Sequence, residues 1–174
     1  ACWLLSNVAA GSAAQISALM NTPNVVPGVV HQLESGDWDV RKEAAWVISN
    51  IALGGSQQHL RELVEYRPIR PLCDLLEVAD SKIVKVALDT LEAVLKVEGL
   101  QGTVLIDEAD GLEKIEALQR HENDDIYKHA VRIIETYFGE DDAEDENCAP
   151  NVAAGDTQFA FGGPVLGASP AFAF

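Results

Sequence analysis

At 174 residues, 48% of them hydrophobic, the chain has room for one domain of ordinary size and enough apolar mass for a core, which excludes a wholly disordered protein. Its 12 basic and 28 acidic residues leave a formal charge of -16, which repels nucleic acid and anionic lipid and either attracts cationic partners or only aids solubility. No run approaches the roughly 18 uninterrupted apolar residues of a membrane-spanning helix. The three scattered cysteines, Cys2, Cys73 and Cys148, form no CxxC pair, so a soluble chain in a reducing compartment is expected.

The chain opens on ACWLLSNVAAGS, and residues 44–55 restate it as AAWVISNIALGG. A leading WLLSNVAAGSAA is reminiscent of a secretory signal, but no Met or basic stretch precedes it and its near copy lies mid-chain. The sequence therefore reads as starting inside a repeat. Trp3 and Trp46 stand 43 residues apart, and the same offset aligns Val26, Ile69 and Leu112, then Val29, Leu72 and Ile115, then Val40, Ile83 and Ile126. Ala1, Ala44, Ala87 and Ala130 form a further column, as do Leu5, Ile48, Leu91 and Ile134.

Within a unit the pattern is helical: Val40, Ala44, Ile48 and Ile51 share one face, and strand alternation is absent. Breaks at Thr22-Pro23 and Gly36-Asp37, at Pro68 and near Asp80, and at Gly111 and Asn123 divide each unit into two short helices and one longer one. A period in the low forties with three helices per unit predicts an all-α, right-handed armadillo-repeat solenoid, whose units bury their apolar faces only by stacking. The expected organisation is the last helix of a unit at 1–12, units at 13–55, 56–98 and 99–138, and a disordered tail at 139–174. That tail opens on the acidic GEDDAEDEN and continues in Ala, Gly, Pro and isolated Phe. The acids of 140–146 read as a solvated, self-repelling segment or as a lure for a basic partner, and QFAFGG and PAFAF as low complexity or a short binding motif.

On a helix turning about 100° per residue, the direction shared by Glu43, Trp46 and Asn50 lies about 110° from the centre of the apolar stripe. Trp46 is thus expected beside the core, with Trp3 and Asn7 alongside it in the preceding unit. A lone Trp at helical spacing is more often core, and a lone Asn can serve a turn. Trp and Asn repeated together at one phase, off the stripe, point instead to a groove. Indoles in a row leave slots for the alkyl stem of Lys or Arg, whose cationic head meets a ring face or a carboxylate such as Glu43. Asn amides carry both donor and acceptor and can pair with the backbone of an extended peptide. In the later units the same phases hold Asp89 with Ala93 and Arg132 with Thr136, so the ladder ends after Asn50, and Arg132 is expected to repel a cation.

No GxxxxGK[ST], HExxH or GxSxG motif is present, so no enzyme, cofactor or catalytic residue is predicted. His121 and His129 are more than two helical turns apart and make a poor metal pair. Asn123 is placed as a helix cap, and Cys73 beside the core columns as inert packing. An adhesion or signalling scaffold remains the alternative, but it would need Lys and Arg along the groove, where only Arg132 falls at the aligned phases.

CWLLSN, KEAAWVISN, the PLCDLL of 71–76 and GLEKIEALQRHENDDIYKHAVRIIETYFG together resemble the C-terminal armadillo repeats of the importin-α family, nuclear import adaptors that recognise nuclear localisation signals. The resemblance covers residues 1–139. It implies that Trp3, Asn7, Trp46 and Asn50 correspond to the family's minor signal-binding site, with Ser6 and Glu43 matching polar residues that receive an arginine side chain. It also implies shuttling between cytoplasm and nucleus. Importin-β would bind through a segment this sequence does not include, and an export receptor and nucleoporins through the last repeat and acidic segment. Neither nucleic acid nor membrane is an expected partner.

Overall fold

Polar side chains at the turns set where the helices start. Ser12 and Gln15 close a reciprocal capping box, and Ser56 forms the same arrangement with His59. The Asp80 carboxylate accepts from the backbone N–H groups of Lys82 and Ile83, and the Asn123 amide oxygen accepts from those of Asp125 and Ile126. Asp80 and Asn123 occupy the same place in successive units. Each satisfies two of the donors that a helix start leaves free.

The structure, a computed structural model, describes residues 1–139, in which ten α-helices and no strands occur. They are α1 (Cys2–Ala9), α2 (Ala13–Met20), α3 (Val25–Ser35), α4 (Trp38–Gly54), α5 (Gln57–Glu65), α6 (Ile69–Asp74), α7 (Ser81–Glu98), α8 (Leu100–Asp107), α9 (Gly111–Ala117) and α10 (Asp124–Ile133). A π-helical turn, Ile134–Phe138, extends α10. The expected disordered tail falls, apart from Gly139, outside the described residues. After α1 the helices run in triplets of two shorter members and one longer: α2 to α4, α5 to α7, and α8 to α10.

The longer helices form one layer. α4 packs between α1 and α7, α10 packs on the far side of α7, and α3 and α6 lie behind. Ala44, Ala87 and Ala130 are fully buried, and their small side chains let neighbouring helices approach. Ile48 and Leu91 fill the same layer, while Val29, Leu72 and Ile115 form the layer beneath. Burying each of these larger side chains contributes about 1.5–3 kcal/mol. No helix of the described residues is long and apolar enough to cross a membrane.

One turn is built differently from the expectation. The break assigned to Gly111 falls on Asp110, which adopts the left-handed conformation at φ 56°. Asn24 at φ 61° and Arg67 at φ 59° hold the same position in the preceding units. Asn and Asp tolerate that backbone and Arg does so only with strain, so the second short helix of every unit starts from one backbone device rather than one residue type. Gly111 begins α9, and what it provides is space: a Cβ there would lie 2.6 Å from Ile106 Cγ2 and 2.7 Å from Cys73 Sγ. The junction between α7 and α8 needs a true conformational glycine, Gly99 at φ 54°.

Candidate functional site

The six residues singled out from the sequence lie on α1 and α4, which pack side by side. Trp46 is 41% exposed although Ala45 and Val47 beside it are buried, and Trp3 is 68% exposed. Both indoles therefore lie off the core, as their phase requires. Across the helix pair, Asn50 Nδ2 donates to the Ser6 carbonyl at 3.1 Å, and the Ser6 hydroxyl, whose one proton also has the Trp3 carbonyl within reach at 2.9 Å, lies 3.1 Å from Glu43 Oε2. Asn7 Nδ2 donates to the Trp3 carbonyl within α1 at 2.7 Å.

These bonds leave usable chemistry. An amide has two N–H donors and one oxygen, so Asn7 and Asn50 each keep one N–H and the oxygen for a ligand. Glu43 is half-buried and tied to Ser6 through one oxygen, which leaves the other for a guanidinium. A cavity of about 680 Å³ beside Trp3 and Glu43 is walled by the core-phase residues Cys2, Leu5, Val29 and Val40 and touches neither Asn7, Trp46 nor Asn50, so it lies apart from the groove. The site thus offers aromatic faces and a carboxylate, the combination that holds the stem and head of Lys or Arg.

Where the tryptophan ladder stops, an ion cluster joins α7 to α10. Arg132 Nη2 lies 2.8 Å and His129 Nε2 3.0 Å from Glu92 Oε2, Lys96 Nζ lies 3.2 Å from Glu92 Oε1, and His129 Nδ1 lies 3.6 Å from Asp89 Oδ1. This corrects the expectation for Arg132: its charge is met by a buried carboxylate, so it does not stand in the groove as a bare repelling cation. Residue phase alone did not reveal the partner, because Glu92 sits one helix away among the core-facing residues of α7.

Burial alone would push the Glu92 carboxyl up. Hydrogen bonds from Lys96 and His129 and the charge of Arg132 outweigh it and hold its pKa below the ordinary value of 4.5. A carboxylate depressed in the folded state stabilises above its unfolded pKa, and that contribution is lost as pH falls through the folded value. The melting-temperature difference between wild type and Glu92→Gln is therefore expected to be full at pH 7 and to shrink steadily below about pH 4.5. A difference constant from pH 7 to pH 3 would contradict this.

His121 accepts the Asn123 N–H through Nδ1 at 2.9 Å, which fixes the turn before α10. Among the described residues, no three His, Cys, Asp or Glu side chains converge to hold a metal ion. Burial pushes the Cys73 thiol up to about 12, so it remains protonated at neutral pH and packs as a small apolar group.

Two family models match the chain: the Armadillo/beta-catenin-like repeat over residues 12–53 and the Atypical Arm repeat over residues 102–151. Importin subunit alpha-5 of Arabidopsis thaliana is 39% identical over 145 residues, covering 79% of this chain and 28% of the relative. Importin subunit alpha of Saccharomyces cerevisiae is 49% identical over 117 residues, covering 61% of this chain and 21% of the relative. The chain belongs to the importin-α family. It spans under a third of the length of these importin-α relatives. The solved structures agree on the armadillo fold: a designed armadillo repeat protein in complex with the peptide (KR)4 superposes with a TM-score of 0.68 at 29% identity, covering 78% of this chain and 56% of that one. Computationally designed armadillo repeat proteins for modular peptide recognition superpose equally well, with a TM-score of 0.68 at 25% identity, over 76% of this chain and 55% of theirs.

Within this importin-α chain, sequence reasoning passed over Leu53. It is 57% exposed two turns beyond Trp46 on the same face of α4. Its signal was available in the spacing of seven residues from Trp46, but an aliphatic in a repeat reads first as core.

Proposed function

We propose that the chain is part of a nuclear import adaptor and binds Lys/Arg-rich nuclear localisation signals across α1 and α4. The observation that carries this reading is the pair of exposed indoles, Trp3 and Trp46, flanked by Asn7 and Asn50 and latched by the contact of Ser6 with Glu43. Membership of the importin-α family supports it, as does the (KR)4 peptide held by a designed protein of the same fold. The chain acts by binding and performs no chemistry on its ligand. A lysine or arginine stem lies between the rings, Glu43 receives a guanidinium beside Ser6, and Asn7 and Asn50 pair with the peptide backbone. Because backbone pairing is indifferent to side chains, the cations supply the selectivity. Export receptor and nucleoporins dock on the last repeat and the acidic segment that follows it, importin-β engages the full-length adaptor through a segment outside this sequence, and the protein shuttles between cytoplasm and nucleus.

Titration of a labelled Lys/Arg-rich peptide, followed by fluorescence anisotropy, tests the reading. Saturable binding is expected, weakening as salt rises, with none to an Asp/Glu-rich peptide of equal length. Equal binding of both peptides, or of neither, would contradict it.

A further inference from the structure

Beyond Trp46 the groove changes character rather than ending. A trough of about 480 Å³ lies between α4 and α7, with Leu53 on one wall, Ala93 and Val97 on the other, and Leu60 of α5 at its base. Asp89, Glu92 and Lys96 line it as well. The two acids are not equivalent. Glu92 is occupied by Arg132, His129 and Lys96, whereas Asp89 has one contact, the His129 ring at 3.6 Å, and its side chain is 37% exposed.

Position in the repeat explains the opening. Ala93 stands where the earlier units carry Asn7 and Asn50, so a peptide backbone crossing α7 meets a methyl group instead of an amide. That exchange removes a backbone partner and uncovers the space between Leu53 and Val97. Asp89 stands in the tryptophan column and offers a carboxylate where Trp46 offers a ring.

We infer that this trough is a further peptide subsite, which takes an aliphatic side chain such as Leu or Met from the same basic peptide, while Asp89 draws the neighbouring cation. The inference rests on the peptide-groove reading above and adds a selectivity to it. Continuity of the face selects the occupant: Trp46, Asn50 and Leu53 follow one another along α4, and the trough opens beside Leu53, the last of them. So does charge, because Asp89 is left for a cationic chain while the Lys96 ammonium is engaged by Glu92, and Leu53, Ala93 and Val97 supply the apolar walls. Adjacent helices pack about 8–10 Å apart and an extended chain advances about 3.3 Å per residue, so the aliphatic falls two or three residues from the cation held at Trp46. Leu53 is exposed because its partner arrives with the ligand.

The test scans a single Leu through the flanks of a Lys/Arg peptide, with the all-Ser-flanked peptide as reference, and reads the ratio of the two affinities in each protein. In the wild type one position, two or three residues from the basic pair, is expected to bind roughly five- to tenfold more tightly than the reference, as partial burial of a Leu side chain would give. The ratio is expected to collapse to one in Ala93→Asn, which restores the amide and closes the entrance, and in Leu53→Ser, a change at an exposed position. A scan in which no Leu improves binding, or in which the gain persists in both variants, would overturn the subsite while leaving the groove intact. Failure of the reference peptide itself to bind wild type would overturn both.

Discussion

Replacing Trp46 and Asn50 together by alanine is expected to weaken binding of a Lys/Arg-rich peptide by roughly 30- to 150-fold, with helicity unchanged. The estimate joins loss of a desolvated indole face to loss of the backbone-pairing amide, together about 2 to 3 kcal/mol. Both side chains point away from the core, and the buried neighbours Ala45, Val47 and Ile48 are untouched, so the fold has little reason to respond. One internal contact is lost, the bond from Asn50 to the Ser6 carbonyl, and water can replace it at that half-exposed position. Trp38→Ala is the matched control. That indole is also exposed on α4, but it lies about 80° round the helix from Trp46 and stacks under the Lys42 ammonium of its own chain at 5.6 Å. The control is expected to bind as wild type does. If the double variant also binds as wild type does, charge alone holds the peptide, since an acidic chain attracts basic ligands without any groove.

The second large effect is on stability. Gly111→Ala is expected to destabilise the described unit by about 1 to 3 kcal/mol, as overpacking of a filled interior does. The added Cβ would meet Ile106 Cγ2 at 2.6 Å, Cys73 Sγ at 2.7 Å and the Ile106 carbonyl oxygen at 2.8 Å. The side chains can shift; the backbone oxygen belongs to α8 and cannot move without it. For a unit of this size the melting temperature should fall by roughly 3 to 10 °C. Cys73→Ala removes one of the three contacts, so the double variant is expected to lose less than the sum of the two single losses. Full additivity would mean that the thiol does not set the fit. The Lys114 ammonium holds the same helix pair from outside, 2.7 Å from Asp74 and 3.1 Å from Glu77, which limits how far α9 can retreat from α6.

What sequence revealed and what it concealed divide along a physical line. Periodicity carries information about faces. A 43-residue offset with helical spacing inside it therefore identified the all-α armadillo fold, the buried columns at Ala44, Ile48 and Leu72, and the exposure of Trp3 and Trp46. Caps carry local information, and Asn123 was legible as one for that reason, whereas Asp80 was legible only as a break. Contacts between side chains on different helices carry no such signature. The pairing of Arg132 with Glu92, the latch of Ser6 on Glu43 and the trough beneath Ala93 depend on which helix stands next to which. Gly111 misled because a glycine at a break reads as a turn, whereas here the turn is made by left-handed Asp110 and the glycine makes room for Cys73 and Ile106.

The most direct measurement of the central claim follows the three indole N–H resonances of the chain by NMR while an unlabelled Lys/Arg-rich peptide is added. Trp3 and Trp46 are predicted to shift together along one saturation curve while Trp38 stays in place. Shifts confined to Trp38, or an indole set that does not move while the peptide binds, would place the ligand outside the groove and contradict the account.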